Sequence, residues 1–167
     1  MEKVEYQQKE LCLLHAGSRA PDFTLPISPT ETLSLHDYHG RPLILAFYTS
    51  GANPDCVKQL LAYQEILPEL AQYKAELIAI SVDDIYLQEI VTKQNDLRFA
   101  LLSDANPHGD VARSYGVFDS NLNKSSRALF VINDQGLIIE SHLYDGHEIA
   151  GEDGVLEILA RYKDQLN

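Results

Sequence analysis

The feature that most constrains the fold is an apolar strand that runs through a short polar loop into a helix. The run Pro42–Tyr48 is almost continuously apolar, which is typical of a central strand covered on both faces. Loop-forming residues follow at 49–53, and Asn53 and Pro54 suit the N-cap and the first position of a helix. Apolar residues then recur at helical spacing as far as Leu70. The stretch therefore predicts a buried strand that leads directly into a helix N-terminus.

Cys56 is the third residue of the predicted helix. At that position its sulfur lies beside backbone N–H groups that have no partner within the helix, at the positive end of the helix dipole. A thiol in such a place ionises more easily, and the thiolate is the reactive form. The alternative is a buried, inert cysteine, because free cysteines are often part of the core. Position alone leaves both interpretations open.

The rest of the chain predicts an α/β fold. A second apolar strand at 75–82 completes a βαβ unit, whose strands we expect to be parallel. A helix follows Asp83–Asp84, which we expect to act as caps, and a hairpin at 128–132 and 137–141 adds antiparallel strands. A helix from Glu152 closes the domain.

Shorter elements are predicted between these. Segments 22–25 and 31–35 alternate like a small hairpin, and Pro68 is expected to interrupt the helix that contains Cys56. The helix after Asp84 is expected to bury an apolar stripe that consists of Ile85, Leu87, Ile90 and Val91. A short strand at 99–102 and a short helix at 107–115 complete the prediction.

Composition excludes several classes of function. The formal net charge of −12 over 167 residues disfavours nucleic-acid phosphate and anionic lipid as partners. No apolar stretch approaches the roughly 20 residues of a membrane span, and the N-terminus lacks the pattern of a signal peptide. The two distant cysteines and six histidines have no metal-ligand spacing. We expect a soluble cytoplasmic protein without metal, haem or flavin.

Nine short motifs follow one another in a fixed order between Gly17 and Leu166. They are Ala20–Pro26, Leu33–Leu35, Asp37–Pro42, Phe47–Tyr48, Pro54-x-Cys56, Leu101–Asp104, Tyr115–Val117, Ser126–Ile132 and Gly146-His147. In this order and spacing they resemble the peroxiredoxins, most closely the bacterioferritin-comigratory or PrxQ type. The resemblance implies a thioredoxin-like α/β domain with a central mixed sheet, flanking helices and an N-terminal strand extension. It assigns 1–16 to an N-terminal appendage and 17–167 to a single domain.

The same resemblance implies a peroxidase site. Cys56 matches the peroxidatic cysteine, whereas the Pro and Thr of the family motif are replaced by Thr49 and Asn53. Asn53 is expected to donate its amide N–H to a peroxide oxygen, to cap the helix by accepting from the Cys56 N–H, or to do both. Arg127 matches the arginine that faces the thiolate, and Gln59 stands where relatives often carry a glutamate that orients this arginine.

A resolving cysteine is missing at the expected place, since Leu61 occupies it. We therefore expect a one-cysteine mechanism in which an external thiol, or a reductant of the thioredoxin or glutaredoxin type, restores Cys56. Cys12 as a resolving thiol is the second hypothesis. The competing function is a catalytically weakened domain that serves as a redox-sensing or protein-binding module. We expect a monomer or a homodimer.

Overall fold

A mixed five-stranded sheet forms the centre of the computed structural model, which describes residues 12–144 and 152–165. In chain order the strands and helices are β1 (Thr24–Pro26), β2 (Thr32–Ser34), β3 (Leu43–Phe47), α1 (Pro54–Glu65), α2 (Leu67–Gln72), β4 (Glu76–Ser81), α3 (Ile85–Asn95), β5 (Ala100–Ser103), α4 (Asp110–Ser114), β6 (Phe118–Asp119), β7 (Lys124–Ser125), β8 (Ala128–Ile132), β9 (Ile138–Leu143) and α5 (Glu152–Gln165). A single 3₁₀ turn, Leu35–Tyr38, lies between β2 and β3.

The strand order of the central sheet is β5-β4-β3-β8-β9. Strands β3, β4 and β5 are parallel, as the βαβ pattern predicted. Strand β8 pairs antiparallel with β3, and β9 pairs antiparallel with β8 at the edge of the sheet. The β1–β2 pair forms a separate antiparallel hairpin near the N-terminus. The predicted α/β class, the mixed sheet and the N-terminal strand extension are confirmed.

Alternation along β3 divides the core into two clusters on opposite faces of the sheet. Leu43, Leu45 and Phe47 belong to one cluster, which also receives Tyr115. The even-numbered residues of the strand belong to the other, together with the buried residues of α1, α3 and α5. Because side chains alternate along a strand, a fully buried β3 requires this cover on both faces.

Two details of the prediction are wrong. In α3, Ile90 is 50 % exposed and Gln88 is buried in its place. The amide of Gln88 is tolerated there because its Nε2 donates to the Leu102 carbonyl at 2.7 Å and to Ser81 Oγ at 3.1 Å. Asp84 is the N-cap of α3 and accepts from the Leu87 N–H, but Asp83, expected to share this role, binds the loop before α1 instead.

The described part of the predicted N-terminal appendage, from residue 12 on, packs against the core of the sheet. Leu13 and Leu14 pack on the cluster that contains Tyr115, and the Leu14 N–H donates to the Tyr115 carbonyl at 3.3 Å. Residues 1–11 and the matched Gly146-His147 pair lie outside the described residues.

Candidate active site

Helix α1 begins where β3 ends, and it places Cys56 in its first turn. Asn53 is the N-cap, and its side-chain oxygen accepts from the Asp55 N–H at 2.9 Å rather than from the Cys56 N–H that we expected. Pro54 occupies the first helical position, where an N–H would have no partner. The position of Cys56 as the third helical residue is thus as predicted.

The Cys56 side chain is fully buried, with 0 % of its surface exposed. It lies on the inner face of α1 together with Gln59, Leu60 and Tyr63. Asp55 beside it is exposed, so the two neighbouring side chains point to different sides of the helix. A small molecule in solvent therefore reaches the sulfur only when the surrounding loop or side chains shift.

Arg127 is also buried, with 8 % of its surface exposed, and lies at the same end of the sheet. It immediately precedes β8, whose first residue Ala128 is paired with Phe47 at the end of β3. The Arg127 carbonyl accepts from the Tyr144 N–H at 2.9 Å, which fixes the backbone at this point. The sheet register therefore brings Arg127 to the strand end from which α1 and Cys56 depart.

Gln59 and Tyr63 form a buried polar pair on the same helix as Cys56. Gln59 Nε2 donates to the Tyr63 hydroxyl at 3.2 Å, while Gln59 Oε1 has no hydrogen-bond partner among the described residues. Burial raises the pKa of Tyr63 well above its usual value; the nearby Tyr144 raises it further, and the Arg127 charge opposes the rise. Tyr63 therefore stays neutral and lies within electrostatic reach of the guanidinium.

Tyr48 borders Cys56 on the strand side. Burial raises its pKa, and the charges of Asp83 and Cys56 contribute in the same direction. Its hydroxyl is near Ser81 and Gln88 but makes no hydrogen bond of normal geometry with any residue that the structure describes. Tyr48 thus shares a buried cluster with Cys56, and its hydroxyl stays neutral.

Sequence reasoning missed the contributions of Tyr63, Tyr144 and Asp83. Tyr63 follows Gln59 by four residues and Cys56 by seven, which is the spacing of one helix face, so a signal was present. Tyr144 comes from the end of β9, and nothing in the sequence indicated its approach to α1. Thr49, the other replaced position of the motif, is half-buried between β3 and the loop.

Cys12 is not brought to Cys56. It is exposed, and its carbonyl lies against Gly116, where an added Cβ would approach it to within 1.7 Å. This segment belongs to the side of the sheet covered by Tyr115, whereas Cys56 belongs to the opposite cluster. The sheet therefore stands between the two thiols.

A groove with a volume of about 1040 Å³ lies at the other end of the sheet. It is lined at the start of the parallel strands by residues such as Pro42, Glu76 and Ala100, so it has no part in the environment of Cys56. Within residues 12–144 and 152–165, no three His, Cys, Asp or Glu side chains are grouped to hold a metal ion. In the same residues, no helix is long and apolar enough to cross a membrane.

Comparison with known proteins connects this geometry to a family. The sequence profile of the AhpC/TSA family matches residues 16–141. Alkyl hydroperoxide reductase E of Mycobacterium tuberculosis is 33% identical over 127 residues, covering 75% of this chain and 83% of the relative. The putative peroxiredoxin bcp of Coxiella burnetii is 30% identical over 131 residues, covering 75% and 85%.

Solved structures agree with this relationship. Peroxidoxin BcpB from Mycobacterium tuberculosis superimposes with a TM-score of 0.81 at 26% identity, covering 89% of this chain and 97% of that one. Mycobacterium tuberculosis AhpC gives a TM-score of 0.81 at 19% identity, covering 92% and 95%, which supports the fold alone. With a profile match over residues 16–141, relatives of 30% and 33% identity and a shared thioredoxin-like fold, this chain belongs to the AhpC/TSA family of peroxiredoxins, with relatives of the Bcp type.

Proposed function

We propose that this protein is a thiol-dependent peroxidase that reduces hydrogen peroxide or organic hydroperoxides. The observation that carries the proposal is the placement of Cys56 in the first turn of α1, at the strand end where Arg127 also lies, in a chain of the AhpC/TSA family. Relatives named peroxiredoxin bcp and peroxiredoxin Q support the activity over a purely sensing or binding role.

In the proposed reaction the Cys56 thiolate attacks one oxygen of the peroxide. A sulfur–oxygen bond forms while the oxygen–oxygen bond breaks, and the departing oxygen takes up a proton to leave as water or an alcohol. Sulfur is oxidised to sulfenic acid and the peroxide is reduced. Backbone N–H groups of the first turn and the Arg127 guanidinium supply positive charge to the leaving oxygen, where negative charge develops. The amide of Asn53 is a further donor at the helix start.

The cycle then needs an external thiol. A thiolate of a small molecule, or of a thioredoxin or glutaredoxin-type protein, attacks the sulfenic acid, releases water and forms a mixed disulfide, which a second thiol reduces. The exposed position of Cys12 and the sheet between it and Cys56 support this one-cysteine route within a single chain. A cytoplasmic location and a monomeric or homodimeric state are parts of the same proposal.

Stopped-flow measurement of peroxide consumption tests the proposal. We expect the wild type to react far faster than a free thiol, Cys56→Ser to lose the reaction, and Arg127→Lys to slow it by about 10- to 100-fold, because lysine keeps the charge but not the planar pair of donors. Mass spectrometry after peroxide exposure should find added oxygen on the peptide that contains Cys56.

A wild-type rate no higher than that of a free thiol would contradict the proposal and favour the redox-sensing or protein-binding module. Oxidation of Cys12 with Cys56 unchanged would contradict it as well, because it would place the reactive thiol outside the site described above.

A further inference from the structure

The loop that leads from β3 to Cys56 is held by one carboxylate, that of Asp83, two residues after the end of the neighbouring strand β4. Ser50 Oγ donates to Asp83 Oδ1 at 2.8 Å, and the Gly51 N–H donates to Asp83 Oδ2 at 2.8 Å. Ser81 Oγ donates to the same Oδ2 at 2.9 Å. Three donors therefore converge on Asp83, and two of them belong to the loop that begins helix α1.

The carboxylate is itself anchored to the sheet and to α3. Ser103 Oγ donates to the Asp83 carbonyl, which connects the residue to the end of β5. Ser81, the last residue of β4, accepts from the buried Gln88 of α3 at 3.1 Å. The loop is thus attached, through Asp83, to the ends of β4 and β5 and to α3.

The attachment continues to the helix cap. Ser50 Oγ accepts from the Ala52 N–H at 3.1 Å, and the Ser50 carbonyl accepts from the Asn53 N–H at 3.1 Å. Asn53 in turn caps the turn that contains Cys56. A continuous series of hydrogen bonds therefore runs from Asp83 through Ser50 to the first turn of α1.

We propose that Asp83 is a positioning residue for Cys56, fixing the loop at 50–53 so that the sulfur and the N–H groups of the first turn converge on one peroxide. This inference rests on the proposed peroxidase function. Hydrogen bonds to a charged acceptor are stronger than neutral ones, and removing one acceptor oxygen leaves a loop donor without its partner. A displacement of about 1 Å at a reacting group is enough to reduce a rate by about 100-fold.

The test compares Asp83→Asn with Asp84→Asn. The control removes one charge from the adjacent residue, and asparagine remains a good cap for α3. Two rate constants are measured for each variant: peroxide reduction by stopped flow, and alkylation of Cys56 by iodoacetamide, followed by mass spectrometry of its peptide. We expect Asp83→Asn to lower the peroxide rate by about 10-fold or more and to raise the alkylation rate, because a loosened loop uncovers the buried sulfur. Asp84→Asn should match the wild type in both.

A peroxide rate of Asp83→Asn equal to that of Asp84→Asn would overturn the inference. A parallel fall of both rates together with the unfolding temperature would also overturn it, since that pattern indicates general loss of structure. Ser50→Ala, which removes one loop donor and leaves Asp83 in place, should show the same opposite shifts at smaller size, and it decides the question if Asp83→Asn does not fold. If the wild type itself reacts with peroxide no faster than a free thiol, the proposed function fails. The alkylation rates alone then decide whether Asp83 positions Cys56, and equal rates for Asp83→Asn and Asp84→Asn overturn the inference.

Discussion

Asn53 uses its side-chain oxygen to cap α1. Its amide N–H₂ group, the donor of the side chain, is not needed for the cap and can donate to a bound peroxide. The oxygen accepts from the Asp55 N–H at 2.9 Å. One amide can therefore cap the helix and donate at the site simultaneously, as a threonine hydroxyl also does by accepting with a lone pair and donating its proton. Asparagine in place of the motif threonine therefore retains both the helix cap and a hydrogen-bond donor, but the donor is carried by a longer side chain.

Asn53→Thr should raise the second-order rate constant for peroxide by several-fold. Threonine also caps helices, so the helix start is retained while a shorter, better-placed donor approaches the sulfur. Stopped-flow kinetics give the rate, and thermal unfolding, expected to change by no more than a few degrees, confirms that the cap is kept. A lower rate at unchanged unfolding temperature would show that the asparagine amide is the better donor here.

Gln59 illustrates the limit of prediction for single residues. Its place beside Cys56 follows from the helical spacing, but its partner does not. The family resemblance placed Gln59 where relatives often carry a glutamate that orients the arginine, whereas in the structure Gln59 Nε2 donates to the Tyr63 hydroxyl at 3.2 Å. Which of several buried polar groups pair depends on packing between α1 and the sheet, and that information is distributed over the whole chain.

At the scale of elements, the strand, loop and helix around Cys56 were predictable because their signals are local. The continuous apolar character of the segment predicted β3, and Asn53 followed by Pro54 predicted the start of α1. The interruption at Pro68 was also predicted and separates α1 from α2. These features depend on neighbours within a few residues, so no tertiary knowledge was needed.

Very short elements, and a helix face that depends on tertiary hydrogen bonds, were missed. The β6–β7 pair consists of two residues on each side, Phe118–Asp119 and Lys124–Ser125, too short for any periodicity. The buried face of α3 was misjudged at Ile90 because the amide of Gln88 finds its partners on β4 and β5, 7 and 14 residues away in sequence. Hydrophobic periodicity does not record such compensation.

Gly51→Ala tests how closely the loop before α1 packs on α3. An added Cβ would lie 2.5 Å from Val91 Cγ2, well inside van der Waals contact, and valine has little rotamer freedom to withdraw. We expect a loss of about 1–3 kcal/mol in the free energy of unfolding, measured by urea denaturation. Combining it with Val91→Ala should give less than the sum of the two single effects, because the cavity receives the new methyl group. Strict additivity would refute the proposed contact.

At the scale of the whole molecule, acidic charge and buried carboxylates govern the response to pH. The formal net charge is −12, and most of the carboxylates are at the surface. Asp104 is an exception: it is 1 % exposed and accepts from the Val111 and Ala112 N–H groups at 3.1 and 2.9 Å. Burial raises its pKa in spite of these two bonds.

A raised pKa means that the folded protein binds the Asp104 proton more tightly than the unfolded chain does. The contribution of this group to stability is therefore complete below the usual aspartate value of 3.8 and declines as the pH rises through the folded pKa. We expect the unfolding free energy of the wild type minus that of Asp104→Asn to fall as the pH rises through the folded pKa of Asp104. Urea denaturation across the acid range measures it, with exposed Asp22→Asn as the control. A difference that grows with pH would contradict the sign.

The position of the central sheet has a further consequence for how an oxidised Cys56 is reduced again. It lies between Cys56 on one face and the segment of Cys12 on the other, and a disulfide requires Cα atoms within about 7 Å. In the one-cysteine cycle proposed above, a sulfenic acid on Cys56 therefore has no thiol of its own chain on the same face of the sheet, and an external thiol completes the turnover. In that proposal the oxidising equivalent is passed on through a mixed disulfide, so the identity of the thiol that docks at the start of α1 decides which molecule is oxidised.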